Sequence, residues 1–286
     1  MQIIGTLSRE RRPNHLRLAL LQLNTDDHDL NRNLRAAGAA IDEAAEAGAD
    51  LVVLPEFFNL PYFAQVWDPS LFRLAETEKG PTLTMIRGKA REHGIHIVAT
   101  IYERRGTGVY FDTAFLIDQS GEIQGRYEKV HPAAVKSLEK IYFRPGSRFP
   151  VWDVNGVKVS AIICYDHFFP EAARSAMING ADLLLGPFAA PKSTTALWKE
   201  VMAVRAFENG VFMAPCNKVG REGEWDFRGT SMVVDPLGRS IVAAADELEA
   251  IVLADIDPTE VIAARAQFPM IRDRIPSAYA AVTREY

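Results

Sequence analysis

Cysteine is scarce in this sequence. Two occur in 286 residues, Cys164 and Cys216. So few exclude a disulfide scaffold and a four-cysteine zinc site, and leave room for one reactive thiol. A surplus of one charge sign is also missing. Lys plus Arg is 32 and Asp plus Glu is 37, a formal net charge of −5, with no basic block. Such a chain is not expected to take nucleic acid as its main partner. No apolar run approaches the ~18 residues of a membrane span. The stretch LRLALLQLN, which follows charges at Arg9, Glu10, Arg11 and Arg12, is too short and too alternating for a signal-peptide core. Residues 1–15 read as a polar extension ahead of the first strand. The compartment expected from these features is the cytoplasm, where thiols stay reduced.

Several chemistry-bearing motifs are missing too. No G-x-G-x-x-G follows a strand, and there is no P-loop, no G-x-S-x-G and no H-E-x-x-H. Nucleotide, serine-hydrolase and zinc-hydrolase chemistry lose support accordingly. His93 and His96 are close in sequence but read as a helix end and a strand, which makes a poor metal pair. No metal site is expected from these motifs.

What is present is an ordinary globular composition, 48% hydrophobic and 24% charged, enough for a large core. The apolar pattern alternates between period 2 and period 3.6. Strands are expected at RLALLQLN and LVVLPEFF. They flank a helix that places Leu30, Leu34, Ala37, Ile41 and Ala45 on one face and stops at Gly48. A second helix is expected from Pro81 to Gly94. IHIVATIYER and VYFDTAFLID read as a hairpin. Asn155-Gly156 is a two-residue turn between FPVWDV and VKVSAIICYD. A helix from Pro170 to Gly180, strand DLLLGPF, helix TTALWKEVMAVRAFENG and strand VFMAPCNKVG follow. The Asp235–Gly238 turn joins two more strands, EAIVLADIDP is the last strand, and a short helix precedes an irregular tail. With no linker and no repeat, this is one α/β domain over residues 16–286 with mixed sheets.

The chemistry sits where apolar strands stop. Glu56 ends LVVLPE, Lys129 lies in GRYEKVHP, and Cys164 ends VKVSAIIC. Each also has a structural use: a cap or strand-end salt bridge for Glu56, a solvated cation for Lys129, a small apolar filler for Cys164. Together they are a coherent set. A free thiol is only a few per cent ionised at neutral pH. A carboxylate can take its proton, and an ammonium can stabilise the thiolate and then an oxyanion. Cys216 reads as mid-strand packing.

On these residues the sequence resembles the nitrilase superfamily, the carbon–nitrogen hydrolases. The matching segments are LVVLPEFF, GRYEKVHP, ICYDHFFPEAAR, SLEKIYFRPG, NGADLLLGP, RAFENGVFMAPCNKVG, DPLGR and RDRIPSAY, in family order from about residue 16 to residue 280. The resemblance implies a four-layer α-β-β-α sandwich with two mixed β-sheets. It implies Glu56 as general base, Lys129 as oxyanion stabiliser, Cys164 as nucleophile and Glu139 as an assisting carboxylate, with the Tyr165 backbone N–H completing the oxyanion hole. The implied reaction is hydrolysis of a linear amide through a thioester, without a cofactor. PEFFNLPYF and SLEKIYF look most like the N-carbamoyl-amide hydrolase branch; a nitrilase or aliphatic amidase with the same triad is the alternative, and a silent metabolite-binding member a third reading. Phe57, Asn59, Phe63, His131, Asp166, His167, Phe188 and Asn217 flank these motifs and are expected to line the pocket. Lys192 and Arg174 are candidate cations for a substrate carboxylate. The tail, about 268–286, implies a subunit interface and hence a homo-oligomer.

Overall fold

The computed structural model of the protein describes residues 1–6, 15–25 and 29–285. The chain opens with strand β1 (Gln2–Thr6), then β2 (Leu16–Gln22), helix α1 (Leu30–Glu46), β3 (Leu51–Val53), α2 (Pro81–His93), β4 (His96–Gly106), β5 (Val109–Ile117), β6 (Ile123–Glu128) and the single turn α3 (Glu139–Tyr142). It continues with β7 (Trp152–Val154), β8 (Val157–Ala161), α4 (Pro170–Ile178), β9 (Leu183–Pro187), α5 (Thr195–Asn209), β10 (Phe212–Cys216), β11 (Val219–Glu222) and β12 (Trp225–Arg228). β13 (Met232–Val234), β14 (Ser240–Ala243), β15 (Ala250–Ile256) and α6 (Pro258–Gln267) complete it.

Local chemistry sets most of these boundaries. The Asp29 carboxylate caps α1 by accepting the Arg32 N–H. Pro81 opens α2, and Gly94, in the left-handed region at φ 63°, closes it. Asn155 and Gly156 both have positive φ, as the tight hairpin between β7 and β8 requires.

Two large sheets result. One runs β1-β15-β2-β3-β4-β5-β6 and the other β14-β13-β10-β9-β8-β7, while β11 and β12 form a separate ribbon. In the first sheet β2, β3 and β4 are parallel neighbours; in the second β8, β9 and β10 are. Period-2 alternation divides β2 between two cores. Leu18 and Leu20 pack with Val53, Val98, Val159 and Leu184 of the central layer. Ala19 and Leu21 face outward with Leu34, Ile41, Leu83 and Ile86 of α1 and α2. Ala173, Met177, Met202 and Ala206 bring α4 and α5 onto the second sheet. This is the four-layer sandwich.

Two expectations change. Gln2–Thr6 is no extension: it is an edge strand paired in parallel with β15, and the remainder, residues 7–14, lies outside the described residues. VFMAPCNKVG is not one strand. It breaks at Asn217 and Lys218, whose side chains turn to bond loop carbonyls, and β11 then leaves for the ribbon. No helix among the described residues is long and apolar enough to cross a membrane.

Candidate active site

The carboxyl ends of the parallel strands of both sheets open into one cavity of about 880 Å³. Open α/β sheets place ligands at such strand ends. Glu56 follows β3, Lys129 follows β6, Glu139 begins α3 and Cys164 follows β8. The structure brings all four together. The Lys129 ammonium lies 2.6 Å from Glu56 Oε1 and 2.7 Å from Glu139 Oε2, with all three side chains buried. Cys164 and Glu139 reach the cavity wall.

Each group is held by further bonds. Glu56 Oε2 accepts the Ala189 N–H at 2.8 Å. Glu139 accepts the Tyr62 hydroxyl at 2.7 Å and the Ala133 N–H at 2.8 Å. The loop after Glu56 turns through Phe57 at φ 52°, a conformation that costs a non-glycine residue roughly 1–3 kcal/mol. Two clamps hold it. The Thr100 hydroxyl accepts the Phe57 N–H and donates to the Pro55 carbonyl. The buried Lys218 ammonium donates to the carbonyls of Phe57 and Leu60 and pairs with Glu222 at 2.6 Å.

Cys164 is also at positive φ, 42°, where the strand turns into a short 3-10 helix, Cys164–Phe168. Asp166 pins this turn. Its buried carboxylate accepts the Ile163 N–H at 2.9 Å, the Tyr127 hydroxyl at 2.6 Å and the His131 N–H at 2.9 Å, and the His131 ring lies at 2.8 Å. The thiol is therefore presented by a strained but over-determined turn.

Burial dominates the electrostatics. It pushes the Cys164 thiol well above its ordinary range, and the Glu56 charge pushes the same way, against the Lys129 ammonium. Burial alone would lower Lys129; Glu139 and Glu56 overcome it and hold the ammonium charged far above neutrality. Burial raises Glu139, opposed by Lys129. His167 is pushed down to about 3, chiefly by burial, and is neutral. The resting site thus holds a protonated thiol beside a carboxylate and a fixed cation. That combination can pass a proton from sulfur to carboxylate when an electrophile arrives.

The carboxylate oxygens of Glu56, Asp112 and Glu139 lie within 4.8 Å of one another, a spacing that a cation could use. The Lys129 ammonium already sits among them. Asp42, Glu92 and His93 form a second such group at the surface, where Lys89 bonds both carboxylates. His96 is buried in β4, apart from that group.

Of the expected pocket residues, Lys192 lines the cavity, as does Tyr165, expected for its backbone N–H alone. The others lie off its wall. Phe57 and Phe63 belong to an aromatic cluster with Phe143 and Tyr102. Asn59 donates to Thr82 at the start of α2. His131 stacks on Phe169 at 3.7 Å and bonds Asp166. The His167 ring faces the Cys164 carbonyl and packs on Phe188 and Trp198. Asn217 brackets Ala190 with one bond to its N–H and one from its own amide to the carbonyl. Arg174 is half-buried on α4 and is not part of the cavity wall.

Sequence reasoning missed Tyr62, Trp198, Trp225 and Asp112. The first three line the cavity, Trp225 stacking on Tyr62 at 4.3 Å. Asp112 is a buried acid inside the apolar alternation of β5, and that anomaly is visible in VYFDTAFLID.

The profile of the family described as carbon-nitrogen hydrolase matches residues 17–266. A citrullinase from Francisella tularensis is 32% identical over 95% of this chain and 99% of that protein. An N-carbamoylputrescine amidase from Arabidopsis thaliana is 31% identical over 94% of this chain and 96% of its own. An amidase from Nesterenkonia sp., solved with the acetamide moiety of fluoroacetamide covalently added at its active-site cysteine, superposes with a TM-score of 0.83 at 29% identity, covering 95% and 98% of the two chains.

Proposed function

The chain belongs to the carbon–nitrogen hydrolase family and is a hydrolase of linear amides, and on that premise we propose that it cleaves N-carbamoyl (ureido) compounds with Cys164 as nucleophile. Glu56 takes the thiol proton as general base. The thiolate attacks the ureido carbon, and the developing oxyanion faces the Lys129 ammonium and the Tyr165 N–H. The nitrogen that leaves takes the same proton back from Glu56. Water, deprotonated by Glu56, then attacks the S-carbamoyl (thiocarbamate) intermediate, and the departing sulfur takes that proton back as the thiol. The resulting carbamic acid falls apart to carbon dioxide and the remaining amine or ammonia. Glu139 fixes the Lys129 ammonium opposite Glu56.

One observation carries this reading: Lys129 is buried between Glu56 and Glu139, 2.6 and 2.7 Å away, at the strand ends from which Cys164 faces the cavity. The cavity supports a substrate longer than a simple amide. Its wall carries Lys136, Lys192, Glu224 and Asp226 as well as Trp198 and Trp225, so a polar tail of either charge finds partners. The names of the citrullinase and N-carbamoylputrescine amidase relatives point the same way.

The test is a panel of N-carbamoyl amines, N-carbamoyl amino acids, simple amides and nitriles, with Cys164→Ala as the blank. The reading expects ammonia and carbon dioxide from a carbamoyl substrate and none from the blank. Turnover confined to amides or nitriles would move the protein to that branch. Residues 16–286, with the edge strand Gln2–Thr6, are proposed to act as one catalytic domain in the cytoplasm. Exposed Phe268, Ile275, Tyr279 and Val282 support a subunit interface along the tail, which light scattering would test.

A further inference from the structure

Asp112 is the one member of the buried cluster whose charge state the geometry leaves unsupported. It lies on β5 with no solvent exposure, and its backbone carbonyl accepts the Lys129 N–H at 2.9 Å. Among the described residues no donor makes a hydrogen bond to either carboxyl oxygen. The Lys129 ammonium stands 3.5 Å away, too long for a charge-assisted bond. Its neighbours differ. Glu56 has Lys129 and the Ala189 N–H; Glu139 has Lys129, Tyr62 and the Ala133 N–H.

A buried carboxylate without donors is expensive, and the usual escape is to keep a proton. We propose that Asp112 stays a neutral carboxylic acid throughout the catalytic cycle and positions Glu56 and Lys129 by donating its proton to the Glu56 carboxylate. The groups that face it are Glu56 from the loop after β3, Lys129 after β6 and Glu139 of α3; burial and the Glu56 charge both raise it, and Lys129 opposes. Charge conservation gives the consequence. At rest, Glu56, Glu139 and Lys129 leave one net negative charge in the pocket floor. When the thiol proton moves to Glu56, that charge moves to sulfur and the total stays at one. An ionised Asp112 would make it two, beside the sulfur that must become anionic. Asp112 is thus a positioning residue that acts through Glu56 and Lys129, and the inference rests on the roles proposed for them.

Infrared spectroscopy of the resting full-length protein at neutral pH reads the proton directly, without substrate. The wild-type minus Asp112→Asn difference spectrum should show the carbonyl stretch of a protonated carboxyl group, moved by deuteration. Carboxylate bands in its place would overturn the proposal, whatever the enzyme's substrate proves to be. Kinetics gives the second readout, on the best substrate from the panel. Asp112→Asn, a neutral shape-mimic, should cost less than about tenfold in kcat/KM and leave the acid limb of its pH profile in place. Asp112→Leu should cost about a hundredfold or more, carried on kcat. An acid limb displaced in the Asn variant, or losses equal in the two, would show that Asp112 acts as an anion. If the Leu variant fails to fold, the spectrum and the Asn profile still decide.

Discussion

Replacing Lys129 by methionine keeps the length of the side chain and removes its charge from a buried cluster. Two ion pairs disappear, at 2.6 and 2.7 Å. At an effective dielectric constant of about 20, each is worth about 6 kcal/mol of attraction, most of it offset by desolvation. Breaking a buried pair from one side typically costs about 3–5 kcal/mol, because a carboxylate is left buried alone. That cost depends on pH in a defined direction. In the wild type the ammonium is held above its ordinary range, so its contribution is complete below an unfolded pKa of about 10.4 and constant through neutrality. In Lys129→Met, Glu139 loses the cation that opposes its burial. Its carboxyl then binds a proton in the folded state that the unfolded chain releases above about pH 4.3. Folded protein holds more protons than unfolded, so the variant loses about 1.4 kcal/mol per pH unit as pH rises from there. Urea unfolding followed by tryptophan fluorescence from pH 5 to pH 8 measures it. The deficit should be small at the acid end and approach about 3–5 kcal/mol at neutrality, with an unchanged m-value. A deficit independent of pH, or below about 1 kcal/mol throughout, would refute a charged cluster around Lys129.

Three further outcomes follow from the same geometry. Cys216→Ala should stay active and lose about 1 kcal/mol of stability, since its thiol packs between the sheets and donates only to the Leu21 and Val53 carbonyls; lost turnover in a folded variant would reassign the nucleophile. Asp166→Ala should lower kcat about a hundredfold or more and destabilise by roughly 2–4 kcal/mol, because the Cys164 turn loses the acceptor of its Ile163 N–H; unchanged kcat with lower stability would confine Asp166 to the fold. Alkylation of Cys164 by iodoacetamide should keep accelerating as pH rises beyond the ordinary thiol range, because burial and Glu56 favour the protonated thiol; a plateau at neutral pH, read by peptide mass spectrometry, would contradict this.

Much of the fold is legible because its signals are local. Asp29, Pro81, Gly94 and Asn155-Gly156 mark their boundaries through backbone chemistry that needs no tertiary partner. The pairing of β1 and β2 on either side of β15 joins the two ends of the chain, and no local pattern encodes it. Glu56, Lys129 and Cys164 are visible as polar residues that end apolar strands. The pocket wall is less visible, for a geometric reason. Consecutive residues in extended chain face opposite ways, so the neighbour of a site residue tends to face elsewhere. Phe57 beside Glu56 enters the aromatic cluster, and Asp166 and His167 turn under the Cys164 loop rather than into the cavity. The aromatic part of the wall, Tyr62, Trp198 and Trp225, comes from residues that tertiary packing alone assembles.

The central claim is that Cys164 carries the acyl group. Wild-type protein mixed with its best carbamoyl substrate, quenched with acid during turnover and digested, would show where the substrate fragment resides. The account predicts a mass gain equal to that acyl fragment on the peptide containing Cys164, absent from Cys164→Ala and lost on prolonged incubation. Turnover with no adduct on that peptide, or an adduct on the peptide containing Cys216, would contradict it.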